Sequence, residues 1–334
     1  MNIKLAILFF YLIALLVKVK GQDPQLTQFF SAPLYLAPSF AGSGLGSRAV
    51  LNFRDQWPSV PGAFITYMFS LDHNFYKYHS GVGLLFLRDQ AGSGNLATTQ
   101  VSLNYSYNIV LNRKINIRPA LAVVFSQRSI DYTRLLFNDQ LSFEHGITPT
   151  IESRFLRKKH YLDFNYSIVT FTRQYWFGMN LAHLLRPNQS LLNEGLSPVP
   201  TIFTVFGGGK WKKSPSSSFN KENILFSFLY KSQGKFDQLD LGVYWQNLPF
   251  VVGIWYRGLP LKQYAPGYFN HDAIAIMLGY SYDRIKVGYS YDFTVSKLAF
   301  KTAGSHELSV AYEFNQDQRL KKKLNKQMIP CPKF

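Results

Sequence analysis

The chain has 334 residues, 29 Phe, 21 Tyr, one cysteine at position 331 and a formal net charge of +17. A lone cysteine excludes an internal disulfide framework. Past the first twenty residues, no run approaches the ~20 apolar residues that a transmembrane helix needs, so a membrane form must close its backbone hydrogen bonds as a barrel.

Lys4 precedes an apolar run from Leu5 to Val17, roughly 13 residues, which is short for a spanning helix and suits the h-region of a secretory signal. Val19-Lys20-Gly21 places small residues at −3 and −1 before Gln22. Residues 1–21 therefore read as a removed signal peptide, the competing reading being a short membrane anchor. Removal takes Lys4, Lys18 and Lys20, so +17 becomes +14. A strong positive balance suits nucleic acid, anionic lipid or an acidic protein, and export argues against nucleic acid.

Residues 22–47 carry Pro24, Pro33 and Pro38, then Gly42, Gly44 and Gly46. Proline cannot donate in a ladder, so this is no central strand. An extended segment in or across the periplasmic mouth of the following domain is expected.

From residue 48 the governing signal is period-two alternation. Val101, Leu103, Tyr105, Tyr107 and Ile109 alternate with Ser102, Asn104, Ser106 and Asn108, and Leu239, Leu241, Val243 and Trp245 with Asp240, Gly242, Tyr244 and Gln246. Ile285, Val287, Tyr289 and Tyr291 stand against Lys286, Gly288, Ser290 and Asp292. His306, Leu308, Val310, Tyr312 and Phe314 stand against Glu307, Ser309, Ala311 and Glu313. Large apolar residues on one face and small or charged ones on the other are what a lipid belt and a lumen require. Val287 and Tyr289 should face lipid, and Lys286 and Ser290 the lumen.

Such segments lie near 48–57, 62–71, 80–88, 97–110, 115–127, 160–170, 174–184, 200–211, 223–231, 236–247, 249–257, 272–282, 285–293 and 305–314. The fold class is all-β: a transmembrane antiparallel up-and-down β-barrel of about 14 strands (roughly 12–16), with an N-terminal extended segment and a C-terminal periplasmic tail. The barrel spans 48–314 and the tail 315–334. With both ends periplasmic, inner turns fall at 111–114, 172–173, 248 and 283–284, and outer loops at 128–159, 185–199, 258–271 and 294–304. Segments 72–79 and 212–222 are long for inner turns. The tail carries Arg319, Lys321, Lys322, Lys323 and Lys326, either a solvated run or a docking segment for an acidic periplasmic partner.

No catalytic signature emerges. The seven histidines fall in no metal-ligand spacing, and no cysteine partners them. Gly42–Gly46 and Gly207–Gly209 lack the lysine and serine of a phosphate-binding loop. Asp55 beside Arg54, and Glu307 with Glu313, look like acid pairs, but in barrel strands they should face the lumen and pair with Arg or Lys across strands. No enzyme activity, cofactor or metal is expected.

Several motifs in order carry a resemblance. They are the stretch Gln22–Phe30 with Asp23, Pro24 and Gln28, then residues 31–43 with Pro33, Tyr35, Pro38 and Gly42, then Arg54-Asp-Gln56-Trp57. Gly253-Ile-Trp255-Tyr256-Arg257, Tyr291-Asp292 through Ser296, Gly304-Ser-His306-Glu307-Leu-Ser309 and the ending Cys331-Pro332-Lys-Phe334 follow. Together they resemble the PorP/SprF family of the type IX secretion and gliding systems of Bacteroidetes. The resemblance covers the whole chain after residue 21. It implies an outer-membrane barrel without enzymatic activity, supporting secretion or surface anchoring of a partner such as an adhesin. It also implies partners among the outer-membrane lipid, the periplasmic ring lipoproteins of the machinery and a secreted surface protein. The alternative function is a channel or transporter for small hydrophobic or polar solutes, since a barrel this size can enclose a lumen.

Overall fold

The computed structural model describes residues 23–62, 64–112, 114–135, 141–142, 146–147, 156–192, 194–212, 222–265, 268–295, 302–314 and 329–331. The signal-peptide reading therefore lies outside the described residues, as do residues 315–328 of the tail.

Fourteen strands form the barrel: β1 (Ser47–Gln56), β2 (Phe64–Phe75), β3 (Ser80–Ala91), β4 (Leu96–Tyr107), β5 (Asn116–Ser129), β6 (Lys158–Phe171), β7 (Tyr175–Ala182), β8 (Ile202–Lys212), β9 (Asn223–Gln233), β10 (Phe236–Asn247), β11 (Phe250–Ala265), β12 (Tyr268–Tyr282), β13 (Ile285–Thr294) and β14 (Ser305–Phe314). Each pairs antiparallel with its sequence neighbour, and β1 closes on β14, Ser47 opposite Phe314 and Gln56 opposite Ser305. Closure leaves no edge strand, which a lipid surround demands.

The alternation becomes two faces. Leu51, Phe69, Leu103, Phe125, Phe177, Val243, Leu278 and Leu308 are exposed on the outside. Their inward neighbours Asn52, Ser70, Asn104, Ser126 and Ser309 are buried. An apolar exterior around a polar interior is the reverse of a water-soluble sandwich and fits a bilayer.

Ser47 and Phe314 share one end of the barrel, the terminus end, with the turns at 76–79, 172–174, 248–249 and 283–284. The other end, the loop end, carries the connections 57–63, 130–157, 183–201 and 295–304. Two details differ from the sequence reading. β2 runs on to Phe75, which shortens the turn expected at 72–79. The outer loop expected at 258–271 is instead largely ladder, because β11 and β12 extend to Ala265 and Tyr268. Register shifts follow Arg257, Leu259 and Gln263. Bulges of this kind break the two-residue period, so the alternation fades while the pairing continues.

The N-terminal segment also differs. It is not extended: residues 23–46 cross the lumen, and residues 29–40 coil into the short helical turns Phe29–Ser31, Pro33–Leu36 and Pro38–Phe40. Pro33 and Pro38 start their turns, where a missing N–H costs nothing and the fixed φ helps. Gly42, at φ +61, donates its N–H to Asp72 Oδ2 at 2.9 Å and turns the chain toward β1. A Cβ there would sit 2.7 Å from the Gly81 Cα, so glycine is required.

Three phenylalanines seat the segment on the wall. Phe29 meets Trp255 at 4.8 Å between centroids, Phe30 meets Trp176 at 5.8 Å and Phe40 meets Phe206 at 5.6 Å. The wall rings lie over cross-strand glycines: Trp255 covers Gly242 and Phe206 covers Gly178. A Cβ at either glycine would come within 2.4 Å or less of the ring. Glycine in the strand thus creates the slot that lets a large ring lie flat against the wall.

Ile329 belongs to this same apolar cluster and is 1% exposed, with Cys331 packed against it. At this point the chain is back inside the barrel, rather than hanging beneath it as the tail reading expected.

Candidate functional site: a buried ionic anchor

Above the aromatic layer, toward the loop end, the segment is pinned by charge. Arg54 on β1 reaches Asp292 on β13 at 2.8 Å and Glu307 on β14 at 3.0 Å. Arg257 on β11 reaches Asp292 and Asp240 on β10, both at 3.1 Å. Thr27 stands at the centre. Its hydroxyl donates to Asp292 at 2.7 Å and accepts from Arg54 at 3.0 Å and Arg257 at 2.9 Å. The Thr27 and Gln28 amides donate to the two Glu307 oxygens at 2.8 and 3.0 Å. The Gln28 side chain donates to Ser290 and to the Glu307 carbonyl and accepts from the Ser309 hydroxyl. Buried charges survive only when paired and hydrogen-bonded, and here the N-terminal segment supplies bonds to Asp292, Glu307, Arg54 and Arg257, while the buried Arg54 Nε meets no acceptor among the described residues. The wall and the segment complete each other.

Two further anchors frame this one. Near the terminus end, Arg48 pairs with Asp72 at 2.9 Å and donates to the Phe40 carbonyl at 3.3 Å. Toward the loop end, His183 bridges Asp163 on β6 at 2.7 Å and Asp23 at 2.9 Å. Burial opposes protonation of His183, but the carboxylates of Asp23 and Asp163 override it and push its pKa up to about 10. Burial would also raise Asp23; His183, Lys231 and the Gln233 amide instead hold it well below the ordinary carboxylate range.

The sequence-selected residues divide by location. Gln28, Arg54, Arg257, Asp292 and Glu307 converge in the central anchor. Asp23 joins the His183 bridge, Trp255 carries Phe29, and Pro33, Pro38 and Gly42 shape the segment. Tyr35 donates its hydroxyl to the Pro24 carbonyl at 2.5 Å. The others sit apart from the anchor. Gln56 ends β1, half-buried. Trp57 follows it and packs on Phe64 at 5.7 Å. Tyr256 pairs with His271 at 2.6 Å, and Tyr291 with His306 at 4.9 Å between rings, on the outer face. Cys331 lies with Ile329. Pro332 and Phe334 lie outside the described residues. Glu313, considered beside Glu307, pairs with Lys286 at 2.6 Å.

Sequence reasoning did not pick out Thr27, Asp72, Asp163, His183 or Asp240. For Asp72, Asp163 and Asp240 a signal existed: an acid at a lumen-phase position of a barrel strand needs a cation opposite. Among the described residues, no group of three or more His, Cys, Asp or Glu is placed to hold a metal ion.

These features define an integral outer-membrane β-barrel whose lumen is occupied by its own N-terminal segment. The chain matches the profile of the type IX secretion system membrane protein PorP/SprF over residues 18–312, and it belongs to that family. It is a protein of the bacterial outer membrane and of type IX secretion. No curated protein matches it. Among solved structures, it is similar to a triple mutant of Rhodopseudomonas blastica porin at 9% identity, covering 80% of this chain and 99% of that one, with a TM-score of 0.35. A second solved structure, described as "Asymmetric conductivity of engineered proteins", gives 9% identity, the same coverages and a TM-score of 0.36.

Proposed function

We propose that this barrel is a closed scaffold of the secretion and gliding machinery, without catalytic activity, that supports secretion or surface anchoring of a partner protein such as an adhesin. The observation that carries this reading is the occupied lumen: residues 23–46 are fixed at three ionic anchors and on three aromatic rings, which suits an anchor better than a diffusion pore. The connection lengths support placing the terminus end in the periplasm, where the basic stretch of residues 319–326 would meet periplasmic ring lipoproteins of the machinery, and the loop end outside, where it would meet the secreted partner. The alternative, a channel or transporter for small hydrophobic or polar solutes, requires an open lumen.

The test is a deletion strain. Surface shaving with mass spectrometry should find one or more secreted proteins missing, while growth on small nutrients is unchanged. An intact surface proteome together with a specific uptake defect would replace this reading with the transporter.

A further inference from the structure

The outer face of β2–β6 changes character in one step along the strands. One row of cross-strand neighbours is apolar and exposed throughout: Phe69, Phe86, Val101, Phe125 and Leu162. The next outward row toward the loop end reads Arg88, Thr99, Gln127 and His160, and Lys158 stands one row further on. Adjacent strands are about 4.8 Å apart, so the Cα atoms of Arg88 and His160 are about 14 Å apart across the wall. His160 stacks on Phe125, with 5.8 Å between centroids and 17° between planes, which ties the polar row to the apolar one. Such a boundary marks the height at which lipid tails give way to headgroups.

The charge on this row is unbalanced. Wall cations such as Arg48, Arg54, Arg257 and Lys286 point into the lumen and are paired there. Among the described strand side chains, Arg88 and Lys158 are the lysine or arginine residues with outward phase, and they share one patch. Neither makes an ion pair with a described residue. Arg88 lies against the neutral Gln90 amide, at 2.8 and 2.9 Å once the amide oxygen faces it. Asp89, its neighbour in the chain, faces inward and accepts from the Thr66 hydroxyl at 2.7 Å. The described outward positions of β3–β6 carry no acid. Unpaired cations at headgroup height attract lipid phosphate.

We propose that this patch holds the phosphorylated sugar head of the outer-leaflet glycolipid. One phosphate lies on Arg88, whose planar guanidinium donates to it in a bidentate fashion, and a second lies between Lys158 and His160. Thr99 and Gln127, which make no side-chain hydrogen bond with a described residue, face the sugar between them. The acyl chains run down over the row from Phe69 to Leu162. A phospholipid, with one phosphate on a small head, does not span such a row. The inference rests on the loop end lying outside, as in the secretion reading, because that leaflet is where the glycolipid resides.

Native mass spectrometry of the full-length protein in a nonionic detergent counts bound lipid as diphosphorylated lipid A, its dephosphorylated form or dioleoylphosphatidylglycerol is added. Diphosphorylated lipid A should bind at a concentration at least tenfold below the other two. The Arg88→Gln/Lys158→Gln protein should lose that preference. Lys235→Gln, which removes an exposed lysine from the β9–β10 turn at the same end, should keep it. Retained heat-modifiable gel migration reports that each variant is folded. Wild-type protein that binds no lipid A, or binds either of the other lipids equally well, would overturn the proposal. So would a folded double variant that keeps the preference, or an equal loss in Lys235→Gln. Sidedness is read separately. In a Cys331→Ser background, Leu196→Cys, at a site 88% exposed in the loop-end connection 183–201, should react on intact cells with a maleimide that does not cross the outer membrane. Absence of labelling would put the patch in the inner leaflet and overturn the assignment to this lipid on that separate ground.

Discussion

Glu307 is 1% exposed, and its two oxygens are divided between Arg54 and the amides of Thr27 and Gln28. Removing one member of such a set leaves the others charged and unpaired. Arg54→Met, which roughly conserves volume, should cost about 3–5 kcal/mol. The urea midpoint of the barrel in micelles would report this, and a variant as stable as wild type would refute the anchor. The loop-end bridge predicts a pH window. His183 titrates near 10 when folded against an ordinary 6.5, so its contribution is complete below about pH 6.5 and is lost as pH rises through about 10. Asp23 is held below its ordinary 3.8, so its contribution is present above that value and is lost as pH falls further. Hydrogen-exchange protection at Asp23–Gln28, corrected for intrinsic rates, should therefore be flat near neutrality and fall at both extremes, with the alkaline loss absent in His183→Gln. Protection unchanged to pH 11 would disprove the bridge. At this scale the sequence motifs contained Gln28, Arg54, Arg257, Asp292 and Glu307 of the central anchor, did not single out Thr27 or Asp240, and did not show that any of them meet. Gln28 and Glu307 are 279 positions apart, and only the β1–β14 closure brings their motifs to one point.

Strand by strand, the period of two was legible because each barrel strand has one face in lipid and the other in a polar interior. It failed where the backbone leaves that period. The bulges after Arg257 hid the outer part of β11, and Phe29, Phe30, Leu34, Leu36 and Phe40 show no strand or helix period because each turn of the segment is three or four residues long. A wet lumen would have made Ser290→Arg milder than a charge on the lipid face. The packed lumen reverses that expectation, since Ser290 is 0% exposed and its hydroxyl accepts from Gln28. Leu278→Arg, on the exposed outer face of β12, should cost about 2–4 kcal/mol if it lies near the bilayer midplane. Ser290→Arg should cost at least as much through overpacking and displaced hydrogen bonds. Refolding titrations into vesicles compare the two, and tolerance of Ser290→Arg would mean the segment does not fill the lumen.

For the whole molecule, the barrel supplies closure and the segment supplies its interior. The apolar cluster that runs from Phe29 to Tyr244 and Met277 includes Ile329, so residues from both ends of the chain meet inside the wall. Nothing in the composition announces this, because burying a segment in a lumen depends on which inward positions are glycine, aromatic or charged at matching heights along different strands. The account turns on a lumen that is closed in the resting protein. Planar-bilayer recording of the purified full-length barrel tests it most directly. The prediction is no sustained current above the bare bilayer for wild type, with discrete openings once Arg54 and Arg257 are both changed to Met and the segment is released. A steady ohmic current through the wild-type protein would contradict it.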